Sequence, residues 1–166
     1  MDFLNAQPLP GGQVLVEMSS NVGQCLYSIA GELLTALETG YRGRRRLRNE
    51  DLFPDAYLLI REARAFRERH GAAMRESVTA AVRAVVRGWT GATAFTLDAA
   101  WQRAWIITFG HAQVLYLRNP RWRDRRAWAR LPVSQRDYTL EWLAHAQDDV
   151  ALACAVSLCE PPVSGT

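Results

Sequence analysis

Two consecutive stretches of helical periodicity, between His70 and Arg118, constrain the fold of this 166-residue chain more than any other feature. In the first stretch, large apolar residues recur at the spacing of one helix face: Val78, Val82, Val85, Val86 and Trp89. In the second, the same spacing joins Leu97, Trp101, Ala104, Trp105, Thr108, Ala112 and Leu115. Two adjacent amphipathic helices must bury these faces, so the chain is predicted to be mainly α-helical.

Capping residues mark where these two helices begin and end. Thr96 is the predicted N-cap of the second helix, and Asp98 in its first turn suits the positive end of the helix dipole. Pro120 ends that helix, because the residue before a proline is disfavoured in the helical conformation. Gly88 and Gly91 end the first helix.

Three further helices are predicted from apolar spacing and from their terminal residues. The first spans residues 22–37 and is closed by Gly40. The second spans residues 54–69 and ends just before His70, because Gly71 follows there. A short helix from residue 134 to residue 145 follows the second of the two central helices.

The two ends of the chain are predicted to be non-helical. Large residues at Val150, Leu152, Cys154, Val156 and Leu158 alternate with small ones, and this period of two predicts a β-strand. Near the N-terminus, prolines and glycines predict an irregular lead-in, whose last residues, 14–18, fit a short strand or a helix entry. The chain therefore divides into a lead-in (1–18), a helical domain (19–145), and a terminal strand with a tail (146–166).

Composition and charge exclude some functional classes. With 49% hydrophobic and 22% charged residues the chain is expected to fold, and its net charge of +3 argues for neither a nucleic-acid nor a membrane partner. The run of arginines at residues 42–48 is interpreted as a solvated loop, with a phosphate or RNA site as the alternative. Residues 121–130, with Trp122 and Trp128 among arginines, fit the end of a helical core better than a base-stacking surface.

The cysteines and the absence of long apolar segments bear on location. Cys25, Cys154 and Cys159 form no CxxC pair, which indicates reduced thiols. No apolar run reaches 18 residues, and Asp2 stands where a signal peptide would carry basic residues. The sequence thus predicts a cytoplasmic protein without a membrane segment.

The three histidines are the side chains with the most useful chemistry. His70 lies between two predicted helices, where a neutral imidazole could ligate a metal or haem iron, or where a surface histidine could stabilise a helix C-terminus. His111 is interpreted as a core or interface histidine, and His145 as an exposed one. The sequence has no HExxH, CxxC, GxSxG or glycine-rich phosphate loop, so no catalytic residues are assigned.

Three runs of the sequence resemble the last three helices of bacterial globins, including the globin domains of flavohaemoglobins. They are LLIREARAFRERHGAA, ESVTAAVRAVVRGWTG and FTLDAAWQRAWIITFGHAQVLYL. In those globins the first of the helices ends in the proximal histidine, and the last opens with an aromatic pair to which Trp101 and Trp105 correspond. The earlier run SSNVGQCLYSIAGELL resembles the distal helix. The late run DDVALACAVSL is similar to the segment that enters the flavin domain.

This resemblance implies a globin-like helical domain that binds haem and a diatomic gas, oxygen or nitric oxide. It implies that His70 is the proximal ligand of the iron, that Asn21 or Gln24 lies near the bound gas, and that Trp105 lies against the cofactor. The alternative is a non-enzymatic helical interaction or regulatory protein without haem. A protein partner or a second copy of the chain would then dock on the tryptophan-rich second half.

Overall fold

The N-terminal residues form a β-hairpin. A computed structural model describes residues 2–42, 45–53, 59–118 and 133–159. Strand β1 (Leu4–Leu9) pairs antiparallel with strand β2 (Gln13–Met18). Gly11 and Gly12, in the turn between them, have φ angles of 84° and 78°, a conformation that glycine adopts without steric cost.

The prediction of an irregular lead-in is therefore wrong for β1, whereas β2 is the short strand that was one of the two alternatives predicted for residues 14–18. The two glycines form the turn of the hairpin, and Pro8 lies on the edge strand β1, where a missing backbone donor is tolerated. In β2, Val14, Val16 and Met18 are buried, so the strand contributes one face to the core.

The remaining elements follow this hairpin in the chain. In chain order they are α1 (Ser20–Thr39), β3 (Tyr41–Arg42), β4 (Arg45–Arg46), α2 (Asn49–Leu52), α3 (Ile60–Gly88), β5 (Ala94–Leu97), α4 (Ala99–Gln113), a π-helical turn (Val114–Arg118) and α5 (Val133–Cys159). The predicted helix 22–37 corresponds to α1, and Gly40 ends it in the left-handed conformation, with φ of 74°. Within the described residues, none of the helices combines the length and the apolar character needed to cross a bilayer.

Strand β5 completes a three-stranded antiparallel sheet in the order β1-β2-β5. Leu97 pairs with Val14 and Thr96 pairs with Leu15, so Thr96 is not the N-cap predicted for it. The cap is Asp98, whose carboxylate accepts a hydrogen bond of 2.9 Å from the backbone N–H of Trp101. Helix α4 begins later than predicted because the preceding residues bond to β2.

Helix α3 runs without interruption through residues 70 and 71, which the sequence suggested as a break. Gly71 is buried because α2 packs against it: a Cβ atom at Gly71 would lie 2.6 Å from Nδ2 of Asn49. Glycine there permits the close approach of another element rather than ending the helix.

The predicted C-terminal strand is also wrong, because these residues are the second half of α5. Ala146, Val150, Ala153 and Cys154 are buried at helical spacing, whereas Leu152 and Val156 are 67% and 43% exposed. The large residues that the predicted strand would place on one face are therefore partly buried and partly exposed, as a helix requires and a strand does not. The prediction of a mainly α protein is confirmed, but its strands lie at the N-terminus and in mid-chain.

An aromatic cluster joins the sheet to the helices. Trp105 is fully buried, and its ring centroid lies 5.3 Å from that of Trp89, 5.4 Å from that of Phe95 and 4.6 Å from that of Phe109. Its indole N–H donates to the carbonyl of Ala146 over 3.3 Å. Sheet, α1, α3, α4 and α5 thus share one hydrophobic core.

Candidate ligand site

The residues predicted to hold haem lie in different parts of the molecule. His70 is exposed in the middle of α3, with its ring centroid 4.7 Å from that of Phe66. Asn21 is exposed at the start of α1 and donates to Oδ1 of Asp2 over 3.2 Å. Gln24 is exposed on the next turn. Each therefore faces solvent.

The length of α3 separates His70 from the other two. Gly23, between Asn21 and Gln24, lies next to Trp89, since a Cβ atom on it would be 3.7 Å from that ring. Trp89 follows directly after α3, whereas His70 lies about five turns before the end of that helix, about 27 Å along the axis.

A single haem cannot have His70 on one face and Asn21 or Gln24 on the other across this distance. Trp105 does not line a cofactor slot either, because other aromatic rings of the core surround it. The residues present do not fit the predicted haem site.

An apolar cavity of about 370 Å³, wide open to solvent on one side, lies between α2, α3 and α4. We call it the His111 cavity. Its lining residues are Leu52, Phe53, Met74, Ile106, Ile107, Gly110, His111 and Val114. All except His111 are apolar, so the cavity offers mainly a hydrophobic surface.

The local sequence explains how α4 forms one wall of this cavity. Ile107, His111 and Val114 are spaced at i, i+4 and i+7, which places them on one face of the helix and the turn that continues it. The close contact at Gly71 holds α2 against α3. That contact brings Phe53 over α4, and its ring lies edge-on to the ring of His111 at 5.6 Å.

His111 is the titratable group of this lining, and its surroundings set its charge. Burial among apolar side chains lowers the pKa of His111, because it disfavours the charged imidazolium. The neutral ring has one nitrogen that donates a hydrogen bond and one that accepts. The cavity can therefore hold an apolar body and satisfy one polar group.

The structure supports the interpretation of two histidines. His145 is exposed, as predicted. His111 is half-buried and packs on an aromatic ring, as expected for a histidine between elements. The cavity beside it was missed, because Leu52 and Phe53 of the opposite wall belong to a four-residue helix and its cap, too short to give a periodic signal.

Metal chemistry has no obvious location in the part of the chain that the structure describes, where no three histidine, cysteine or acidic side chains come together as ligands. Comparison with known proteins adds no assignment. No protein-family model matches the chain, and no curated protein or solved structure gives a significant match. The globin relationship thus stays a prediction.

Proposed function

We propose that this protein is a non-enzymatic binding protein that takes a small apolar molecule with one hydrogen-bonding group into the His111 cavity. The observation that carries the proposal is an apolar cavity in which a single neutral imidazole is the polar lining group. Sites for small molecules typically combine an apolar lining with few polar groups that orient the ligand.

The size of the cavity supports a small molecule as the occupant. Its volume of about 370 Å³ lies at the lower end of the range of about 300–1,000 Å³ that is typical of ligand pockets. Met74 lines it with a flexible thioether that adapts to ligand shape. A compact aromatic or short aliphatic molecule fits this volume.

The neutral imidazole predicts which polar group the ligand carries. A charged ligand would lose its hydration among apolar walls without meeting an opposite charge. An uncharged hydroxyl can donate to the accepting nitrogen of His111 instead. The preferred ligand class is thus a phenol or an alcohol rather than a hydrocarbon.

This preference can be tested with 4-ethylphenol and ethylbenzene, which differ by one hydroxyl group. Titrations followed by methyl NMR should show saturable shifts at Met74, Ile106 and Ile107 with both probes. The phenol should bind about fivefold more tightly, from a net hydrogen bond of about 1 kcal/mol. In His111→Phe the two affinities should become equal.

Matched variants separate the cavity from non-specific binding. Ile107→Trp fills the cavity and should remove binding, whereas Leu152→Trp adds the same ring at an exposed position of α5 and should not. Thermal melting shows whether each variant folds. Where Ile107→Trp does not fold, Met74→Gln is the second test, and it should weaken binding of both probes by placing an amide among apolar groups.

Three outcomes would overturn the proposal. One is the absence of saturable shifts with either probe. Another is equal loss of binding in Ile107→Trp and Leu152→Trp. The third is a set of methyl shifts that depend on protein concentration and not on the probe, which would assign the cavity to a second copy of the chain.

A further inference from the structure

A second, polar cleft has a volume of about 510 Å³ and shares no lining residue with the His111 cavity. We call it the arginine cleft. It is lined by Leu37, Glu38, Thr39, Gly40, Tyr41, Arg46, Leu47 and Arg75. These residues come from the end of α1, the β3–β4 hairpin and the middle of α3.

Arg75 lines this cleft, and two hydrogen bonds hold its guanidinium in place. Its guanidinium donates to the carbonyl of Leu47 over 3.2 Å and to the carbonyl of Leu37 over 3.3 Å. Both acceptors are neutral, so the bonds orient the guanidinium, and no carboxylate among the described residues forms a salt bridge with it. Two of the five N–H groups of the guanidinium donate in these bonds, and the remaining N–H groups can donate to a ligand.

Arg46 brings a second positive charge to the same cleft. Burial and the nearby charge of Arg46 both lower the pKa of Arg75, so the two guanidinium groups repel each other across the cleft. Arg46 itself is exposed, and no described residue forms a salt bridge with it. An anion between the two side chains would relieve this repulsion.

The carboxylate that lines the cleft does not neutralise these charges. Glu38 accepts two hydrogen bonds from the guanidinium of Arg83, at 3.0 and 2.8 Å. Its charge is therefore already paired with an arginine outside the lining, and within the described residues the cleft keeps an excess of positive charge.

An aromatic side chain stands beside the two arginines. Tyr41 lines the cleft and is 50% exposed. Its backbone is held by the side chain of Thr39, whose hydroxyl accepts from the N–H of Tyr41 over 3.2 Å. A ring so positioned offers a face on which a base can stack, next to groups that bind phosphate.

We infer that the arginine cleft binds a mononucleotide, with its phosphate between Arg46 and Arg75 and its base against Tyr41. This site is distinct from the His111 cavity and independent of the function proposed for it. Guanidinium groups suit phosphate because their planar set of donors matches the phosphate oxygens. Two positive charges and one aromatic face are the features that this ligand class requires.

Calorimetric titration with AMP, ribose 5-phosphate and adenosine tests each part of the site. AMP should bind most tightly, ribose 5-phosphate more weakly, and adenosine weakest of the three. Arg46→Gln should weaken AMP binding about tenfold, as expected for loss of a charged hydrogen bond. Tyr41→Ser should bring the affinity for AMP down to that for ribose 5-phosphate.

Arg87→Gln is the matched control. It removes the same charge from an exposed position in the last turn of α3, twelve residues from Arg75, and should leave AMP binding unchanged. Equal effects of Arg46→Gln and Arg87→Gln would reduce the interaction to non-specific charge attraction and overturn the inference. No measurable binding of AMP, or equal binding of adenosine and AMP, would also overturn it.

Discussion

At the scale of single residues, environment rather than residue type decides what each histidine can do. His70 stands exposed in the middle of α3, so its imidazole meets solvent. His111 is half-buried against Phe53, and burial lowers its pKa. Both residues lie within helices beside a glycine, so it is the helix face on which each lies, and not the adjacent residue, that separates the two cases.

The lowered pKa of His111 predicts how stability depends on pH. In the unfolded chain His111 titrates near its ordinary value of 6.5, and in the folded protein it titrates lower. Below pH 6.5 the unfolded state therefore binds more protons than the folded state, and the free energy of unfolding falls as the pH falls. Well above pH 6.5 the imidazole is neutral in both states, so there His111 no longer makes the free energy of unfolding depend on pH.

Urea denaturation at pH 7.5 and at pH 5.5 measures this effect. The free energy of unfolding of the natural chain should fall more between these two values than that of His111→Phe, in which the titrating group is absent. The subtraction cancels other groups that titrate over the same interval. Identical falls in the two proteins would contradict the prediction.

At the scale of elements, close contacts of glycine govern how the helices pack. Gly88, at the end of α3, lies under Trp101 of α4, and a Cβ atom there would come within 2.0 Å of the indole ring. Gly31, in α1, has open space where its Cβ atom would be. The two glycines thus have opposite roles: one is required by a neighbouring helix, and the other only lowers helix propensity.

Alanine at these two positions should have opposite effects on stability. Gly31→Ala should raise the free energy of unfolding by about 0.5–1 kcal/mol, because alanine loses less backbone entropy in a helix. Gly88→Ala should lower it by about 1–3 kcal/mol, because the indole of Trp101 must move out of a packed site. Urea denaturation of both variants checks the signs. A stabilising Gly88→Ala would show that α3 and α4 pack differently.

At the scale of the whole molecule, the elements pack around one shared core, and His70 lies far from Asn21 and Gln24, the other exposed residues predicted to bind haem. The sheet and helices α1 to α5 contribute to a single hydrophobic cluster, in which Trp105 is fully buried. His70, Asn21 and Gln24 are exposed, and the length of α3 places His70 about 27 Å from the helix end beside which Asn21 and Gln24 lie.

Ligation of haem by His70 should therefore not be detected. Protein produced with a supply of haem should show no Soret band that disappears in His70→Ala, because this side chain is exposed and, among the described residues, no second element forms a cofactor slot against it. Absorption spectra before and after reduction and addition of carbon monoxide provide the measurement. A band that shifts with carbon monoxide and is lost in His70→Ala would restore the globin hypothesis.

Local patterns in the sequence determined the mainly helical class and two helices that contribute to the core. The spacing of apolar residues in α1 and α4 depends only on the period of the helix, and Gly40 ends α1 by its own conformational preference. The interpretation of His111 as an interface histidine also follows from its position in α4.

Only the tertiary structure decided the pairing of β2 with β5, the continuity of α3 and the helical state of residues 146–159. Each depends on contacts between residues far apart in the chain. Leu97 pairs with Val14 of β2, the missing side chain of Gly71 leaves room for Asn49, and Val150 is buried in the shared core. The two candidate sites also depend on contacts between distant parts of the chain. Their walls come from elements far apart in the chain, so the free energy of packing, rather than any local propensity, brings them together.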